Sequence, residues 1–401
     1  MRTITRSTAI TSRTERLVFE SEKKPGAVRW AVPAFLEKTM TEHVFPGFID
    51  VHVHFRDPGM TDAEDTASGL QAAARGGFSA VVTMPNTTPA CDSPSALRVQ
   101  TERSNGRTIL LPSACITRGR LGREVADLEA LAEAGAAFFT DDGSYVADAK
   151  VMEEAMRRAA DLCLCVCQHA MDPAVQADGV IRDCPLARRL GLKTIPVEAE
   201  TAAIRRDLSL CRETGCRLHV QHISTAEGVA LVRAAQREGL PVTAEATPHH
   251  LLLSCDDLTA DDANFKMAPP LGNREDRAEL RKAVKEGVLM FATDHAPHPA
   301  ARKALGFAKS ANGIVGLETA IPITWAVMVG EEGMPPEDWA RAGSEMPRSI
   351  VRGLDGVALP PTVVTVGEAR RVDVSAFASR SRNCPYGGMS FDCWPKERGE
   401  R

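Results

Sequence analysis

The 401-residue chain has no excess of basic charge: Lys and Arg number 48 against 53 Asp and Glu, a formal net charge of −5. That balance offers a polyanion such as nucleic acid little to bind and points instead to small-molecule chemistry. No uninterrupted apolar run of ~18 residues occurs, since the greasy stretch after Gly313 is broken by Glu318 and Pro322, so no membrane span is expected. There is no CxxC pair among the 11 cysteines. An odd count in a chain large enough to fold without covalent staples fits a reducing cytoplasm. Low-complexity tracts are absent, and the first ~30 residues lack the apolar block of roughly 7–15 residues that marks a secretory signal. Met1 to Arg16 is rich in Arg, Thr and Ser with only Glu15 acidic; this mimics an organelle transit peptide, but a frayed or strand-forming terminus is the favoured reading.

What is present is an ordinary globular composition, 44% apolar and 25% charged, with enough apolar residues for a sizeable core. From Val44 to about Val329 short apolar runs ending in polar residues alternate with longer Ala/Glu/Arg-rich segments, the rhythm of βα units. Strands are expected at 47–53, 79–84, 108–114, 136–140, 162–168, 217–221, 242–246 and 288–292, and helices at 62–75, 94–104, 123–134, 148–161, 198–214, 226–238 and 273–286. Eight strands close a barrel, so the expected fold is an α/β, TIM-like (β/α)8 barrel over 44–330. The fringes, 1–43 and 331–401, lack this rhythm and are expected to form a small accessory region.

In such a barrel the chemistry sits at the C-terminal strand ends. His52 and His54, two apart on the first strand, project from one face and make a metal clip. Asp141 and Asp142 follow strand four, His169 strand five, His222 strand six and Asp294 strand eight. Taken singly, each His reads as a satisfied interior residue and each Asp as a helix cap; gathered at one mouth, they read as ligands. His and Asp donors suit Zn, Mn, Co or Fe, and their number suits two bridged ions better than one. Arg56 shares the parity of His54 if the strand continues, and its fork could hold a carboxylate bidentately. Cys163, Cys165 and Cys167 alternate on strand five and read as small fillers inside the barrel. His219 has opposite parity to His222 and is expected to face the helices; His249, His250 and His295 receive no ligand role.

The blocks V-H-V-H-F-R-D-P-G, T-M-P-N-T, F-T-D-D-G, Q-H-I-S-T, T-P-H-H-L, A-T-D-H-A-P-H and G-I-V-G-L-E-T-A, in this order over roughly 46–322, resemble the bacterial dihydroorotase family of the amidohydrolase superfamily. S-R-S-R-N-C-P-Y is a weaker echo near the end of the chain. The resemblance implies hydrolysis of the cyclic amide of dihydroorotate to N-carbamoyl-aspartate, and the reverse closure, in pyrimidine biosynthesis. It implies two zinc ions, one on His52, His54 and Asp294 and the other on His169 and His222, bridged by Asp142 and a hydroxide, with Asp141 a neighbour. Many superfamily members bridge with a carboxylated lysine; here the only Lys between Arg107 and Gln168 is Lys150, well beyond the strand end, so a carboxylate bridge is the reading the chain permits. Asp294 is the implied catalytic base, and Arg56, Asn86, His298, Asn312 and Gly313 the implied substrate contacts. The enzyme is expected to be a cytoplasmic homodimer without nucleic-acid or membrane partners; association with a carbamoyltransferase is left open.

Two alternatives remain: a hydantoinase- or allantoinase-like enzyme for other cyclic amides, and a silent homologue serving as a structural partner. The chain also departs from the family. Ala268 stands where similar dihydroorotases carry a substrate-binding Asn, and Gly272 where they carry Arg, which is expected to loosen that loop; Asn264 or Asn273 could lend a replacement amide. The first 43 residues do not resemble the family's usual β-strand opening.

Overall fold

The computed structural model describes residues 40–102 and 108–396. Most of the expected accessory segment at 1–43 lies outside them. Strand β1 (Thr41–Phe45) leads into β2 (Phe48–Val53), the first of eight parallel barrel strands. The others are β3 (Phe78–Thr83), β4 (Ile109–Pro112), β5 (Phe139–Thr140), β6 (Val166–Gln168), β7 (Leu218–Val220), β8 (Val242–Ala246) and β9 (Met290–Phe291). Each falls on an expected strand. β2-β3-β4 and β5-β6-β7-β8-β9 form two parallel arcs. Bridges between Ala114 and Phe139 and between Val53 and His295 join the arcs into a closed ring.

Helix starts follow local chemistry. Asp65, Ser93, Asp127, Asp148, Thr225 and Asn273 each cap a helix by accepting a backbone N–H in its first turn. The first and third helices start later than expected, at Thr66 and Leu128, because the capping Asp sits inside the segment read as helix. The barrel interior is a layer of small and branched side chains, including Ile49, Val51, Ala80, Val82, Cys165, Cys167 and Met290. Cys165 and Cys167 are therefore fillers, as expected. Cys163 is not: it is exposed, with φ +56°, in the turn before β6.

Outside the barrel, β1 pairs antiparallel with β10 (Thr362–Arg371), and β10 with β11 (Ser390–Pro395). Thr362 fastens this three-stranded sheet to the barrel: its hydroxyl accepts from Phe48 N (2.9 Å) and donates to Gly77 O (2.8 Å). Among the described residues no helix is long and apolar enough to cross a membrane.

Candidate metal centre and active site

The C-terminal ends of β2, β5, β6, β7 and β9 bring six side chains together. Asp142 lies at the middle. Its Oδ1 is 3.2 Å from His52 Nε2 and 3.5 Å from both His169 Nδ1 and His222 Nε2; its Oδ2 is 3.3 Å from His54 Nε2. Asp294 Oδ1 faces the first pair only, 3.0 Å from His54 Nε2 and 3.5 Å from His52 Nε2. His169 and His222 approach each other to 2.9 Å. Two three-residue groups, His52–His54–Asp142 and Asp142–His169–His222, each converge within ion-binding range and share Asp142.

The donor set fits metal ions. His52 Nε2 and Asp142 Oδ1 are fully buried, yet neither has a hydrogen-bond partner among the described residues, although they lie 3.2 Å apart. Their approach is short enough for a charge contact and misaligned for a hydrogen bond, as expected for two ligands aimed at a third body. Such bare buried atoms are costly unless a ligand satisfies them. Burial alone would raise the Asp142 and Asp294 carboxyls, but the surrounding histidines outweigh it and hold both ionised, well below the ordinary range. Burial, then the Arg56 charge, lowers the pKa of His54, and burial lowers that of His169, so both rings favour the neutral form that ligates. Burial also opposes charge on His52, but Asp142, Glu245 and Asp294 overcome it and raise its pKa well above the ordinary value. The pocket around His52 thus attracts positive charge.

Asp141 has a different job. Its Oδ1 accepts from Ile116 N (2.8 Å) and Thr117 N (3.1 Å), and its other oxygen accepts the Thr117 hydroxyl. Both oxygens are committed to the loop after β4.

Local backbone explains which residues reach the centre. His222 and Asp294 adopt φ +33° and +47°, a left-handed conformation uncommon outside glycine, so each chain turns sharply as it leaves its strand. The turn at His222 overturns the parity argument for His219. His219 faces inward, not toward the helices: its Nε2 lies 2.9 Å from Glu245 Oε2. Arg56 likewise has φ +56°, so β2 does not continue to it, contrary to the premise of its expected parity. Its guanidinium is nevertheless buried near Asp294 and Asp142; burial lowers its pKa to about 10, which leaves it charged at neutral pH.

The other expected contacts gather at the mouth. Asn86 Oδ1 accepts from His54 Nδ1 (2.9 Å), which turns His54 Nε2 toward the aspartates. His298 Nε2 donates to Asn312 O (2.7 Å), and burial, with the Arg56 charge, drives its pKa to about 3. Gly313 has φ +121°, and a Cβ there would lie 2.5 Å from the Ala296 methyl.

Three residues of this shell were not singled out from sequence. Asn383, in the S-R-S-R-N-C-P-Y segment, donates to Ala296 O and Gly313 O (both 3.0 Å) and accepts from His298 N (3.1 Å). Lys303 Nζ donates to Lys266 O, Ala311 O and Gly313 O at 2.9–3.1 Å. Glu245 Oε1 lies 2.5 Å from His52 Nδ1. The available signal for Glu245 was a lone carboxylate inside the otherwise uncharged strand Val242–Ala246.

Gly272 does not loosen its loop. A Cβ there would lie 2.6 Å from Ser224 O and from Asp276 Cβ, so the glycine permits close packing. Asn273 is occupied as a helix cap, its side chain accepting from Asp276 N (2.8 Å).

A family profile described as dihydro-orotase-like matches residues 42–228. The chain is 42% identical over 360 residues to a dihydroorotase of Bacillus caldolyticus, covering 88% of this chain and 84% of that one. It is 41% identical over 369 residues to a dihydroorotase of Thermus aquaticus, covering 87% and 85%. Among solved structures, an L-hydantoinase (dihydropyrimidinase) from Arthrobacter aurescens superposes with TM-score 0.76 at 25% identity, covering 88% of this chain and 83% of that one. A Saccharomyces cerevisiae dihydroorotase solved with 5-fluoroorotic acid superposes with TM-score 0.70 at 18% identity, over 90% and 100%. These folds are (β/α)8 amidohydrolase barrels, as expected here. On the extent and level of its sequence identity, the chain belongs to the dihydroorotase family of the amidohydrolase superfamily.

Proposed function

We propose that this protein is a dihydroorotase, a hydrolase that opens the cyclic amide C–N bond of dihydroorotate to N-carbamoyl-aspartate and closes it in reverse. The observation that carries this reading is the position of Asp142 between two histidine pairs, with the buried Arg56 guanidinium at the same mouth. His52, His54 and Asp294 would hold one divalent ion and His169 and His222 a second, with Asp142 available to both. Such ions, when bound, would lower the pKa of a water and polarise the scissile carbonyl.

The chain's own groups supply the rest. Asp294, ionised and at the edge of the cluster, takes the proton of the attacking water and returns it to the leaving amide nitrogen. Arg56 pairs with the substrate carboxylate through parallel N–H donors. Asn86 spends its oxygen on His54 and keeps its NH2 for substrate. His298, neutral and donating from Nε2, keeps Nδ1 as an acceptor. Asn383 and Lys303 hold the Asn312–Gly313 backbone against the mouth.

The same reading takes zinc as the metal, in keeping with a His and carboxylate donor set. It takes the cytoplasm as the compartment, supported by cysteines that are all free. A homodimer is the proposed assembly. The division into a barrel at 44–330 and an accessory region from 1–43 and 331–401 is also part of it, supported by the β1-β10-β11 sheet, which lies outside the ring. Turnover of dihydroorotate and of hydantoin by zinc-loaded protein tests the function. Preference for dihydroorotate is expected, preference for hydantoin favours the hydantoinase-like alternative, and turnover of neither favours the silent homologue.

A further inference from the structure

Glu245 is fully buried in β8, below the metal-ligand cluster. A carboxylate this deep is costly unless every oxygen is engaged. Both of its oxygens are. Oε1 lies 2.5 Å from His52 Nδ1 and also accepts the backbone N–H of His222 at 3.1 Å. Oε2 lies 2.9 Å from His219 Nε2, and His219 Nδ1 is 2.8 Å from the Thr243 hydroxyl.

An ionised carboxylate only accepts, so the network places hydrogens on His52 Nδ1 and His219 Nε2. Among the described residues Gln221 Nε2, at 3.3 Å, is the only other hydrogen-bonding neighbour of His52 Nδ1, and the much shorter approach of Glu245 decides the assignment. Nε2 is then the His52 atom left for an ion in the space shared with Asp142 and Asp294. The bond from His222 N restrains a backbone at φ +33°, the conformation that brings His222 Nε2 toward His169 and Asp142.

We infer that Glu245 is a positioning residue for the metal centre as a whole: one carboxylate fixes a ligand of the first ion through its ring and a ligand of the second through its backbone. His219 and Thr243 form a buttress that keeps the carboxylate from turning. This rests on the two-ion reading given above. It goes beyond it by assigning shared support to a residue that touches neither substrate nor ion.

The test is zinc titration of the full chain against a chromogenic chelator, for the native protein and for Glu245→Gln and His219→Leu, with circular dichroism and melting of the metal-free forms. Glu245→Gln keeps size and shape and removes the charge. Its metal-free form is expected to fold like the native chain while the dissociation constants of both zinc equivalents rise about 10–100-fold, the usual effect of losing an outer partner. His219→Leu is expected to raise both constants by a smaller factor. It decides the question if Glu245→Gln fails to fold. Native-like affinity at both sites in a folded variant overturns the inference, and so does weakening confined to one equivalent. If the native chain itself takes up no zinc, the metal-centre reading fails and this inference falls with it; if only the variants behave as native, the metal-centre reading stands and this inference alone falls.

Discussion

Asp294 presents Oδ1 3.0 Å from His54 Nε2 from a backbone at φ +47°, so a left-handed turn aims the carboxylate back over the first histidine pair. Burial disfavours its charge, but His52 and His54 more than compensate, and it is ionised at neutral pH. Asp294→Asn keeps the shape and removes the proton acceptor. Steady-state kinetics should show kcat reduced ~10²–10⁴-fold with a much smaller change in KM. Normal turnover would remove Asp294 from the chemistry.

The two adjacent aspartates should separate cleanly. Asp142→Ala should abolish turnover and lower bound metal, as should Ala at His52, His54, His169 or His222. Asp141→Ala strips partners from Ile116 N, Thr117 N and the Thr117 hydroxyl. It should cost about 3 kcal/mol or more, given ~1.5–3 kcal/mol for each hydrogen bond to a charged group, and leave metal stoichiometry unchanged. Metal analysis beside thermal melting reads both. Chelation of the native protein should stop turnover; undiminished turnover without metal would sink the mechanism.

For Arg56→Met, rates on dihydroorotate and on a neutral cyclic ureide should diverge. Burial lowers the Arg56 pKa only to about 10, so the guanidinium is charged when substrate binds. Two charge-assisted hydrogen bonds at ~1.5–3 kcal/mol each make a loss of a hundredfold or more reasonable for the carboxylate-bearing substrate. Equal losses on both substrates would mean that Arg56 supports the fold instead.

The barrel was legible because its strands are short apolar runs at regular spacing and its helices begin at capping residues such as Asp148 and Asn273. The cluster of His52, His54, Asp142, His169, His222 and Asp294 was legible because the strand ends are polar where the core is not. What failed was parity beyond a strand end. His219 and Arg56 were placed by counting alternate residues, and the positive φ at His222 and at Arg56 itself breaks that count. Glu245 went unnoticed because its partners come from β2 and β7, distant in sequence and met only when the barrel closes. Asn383 lay in a segment without βα rhythm, so nothing local tied it to the mouth.

Lys303 ties stability to alkaline pH. Burial and the neighbouring Lys266 lower its pKa from 10.5 to about 7. Between those values the unfolded chain carries more protons than the folded one, so this group's contribution makes the fold more stable as pH rises through that window. Below about pH 7 both states are protonated and the penalty on the fold is complete. Lys303→Met should melt lower, since three carbonyls lose their donor. Its stability should also lack this rise, up to ~1.4 kcal/mol per pH unit. Denaturant unfolding from pH 7 to 10 compares the slopes; equal slopes would show that the buried amine carries no such burden.

Ala268, half-buried in the loop that leads to Gly272, cannot make the side-chain hydrogen bond that the family resemblance implies for an Asn at this position. One neutral hydrogen bond is worth ~0.5–1.5 kcal/mol, roughly two- to tenfold in binding. Ala268→Asn should therefore lower KM for dihydroorotate by that factor and leave kcat nearly unchanged. Of the two candidate replacement amides, Asn273 is committed to its helix, so Asn273→Ala should cost about 1 kcal/mol of stability and leave KM alone. Asn264 is half-buried, and its backbone N–H is held by Asp262. If Ala268→Asn lowers activity while Asn264→Ala raises KM, the pocket has been rebuilt around Asn264. If neither the native chain nor Ala268→Asn turns over dihydroorotate while another cyclic amide is opened, the alanine marks a changed substrate, because the metal ligands would then be intact and only the pocket wall would differ.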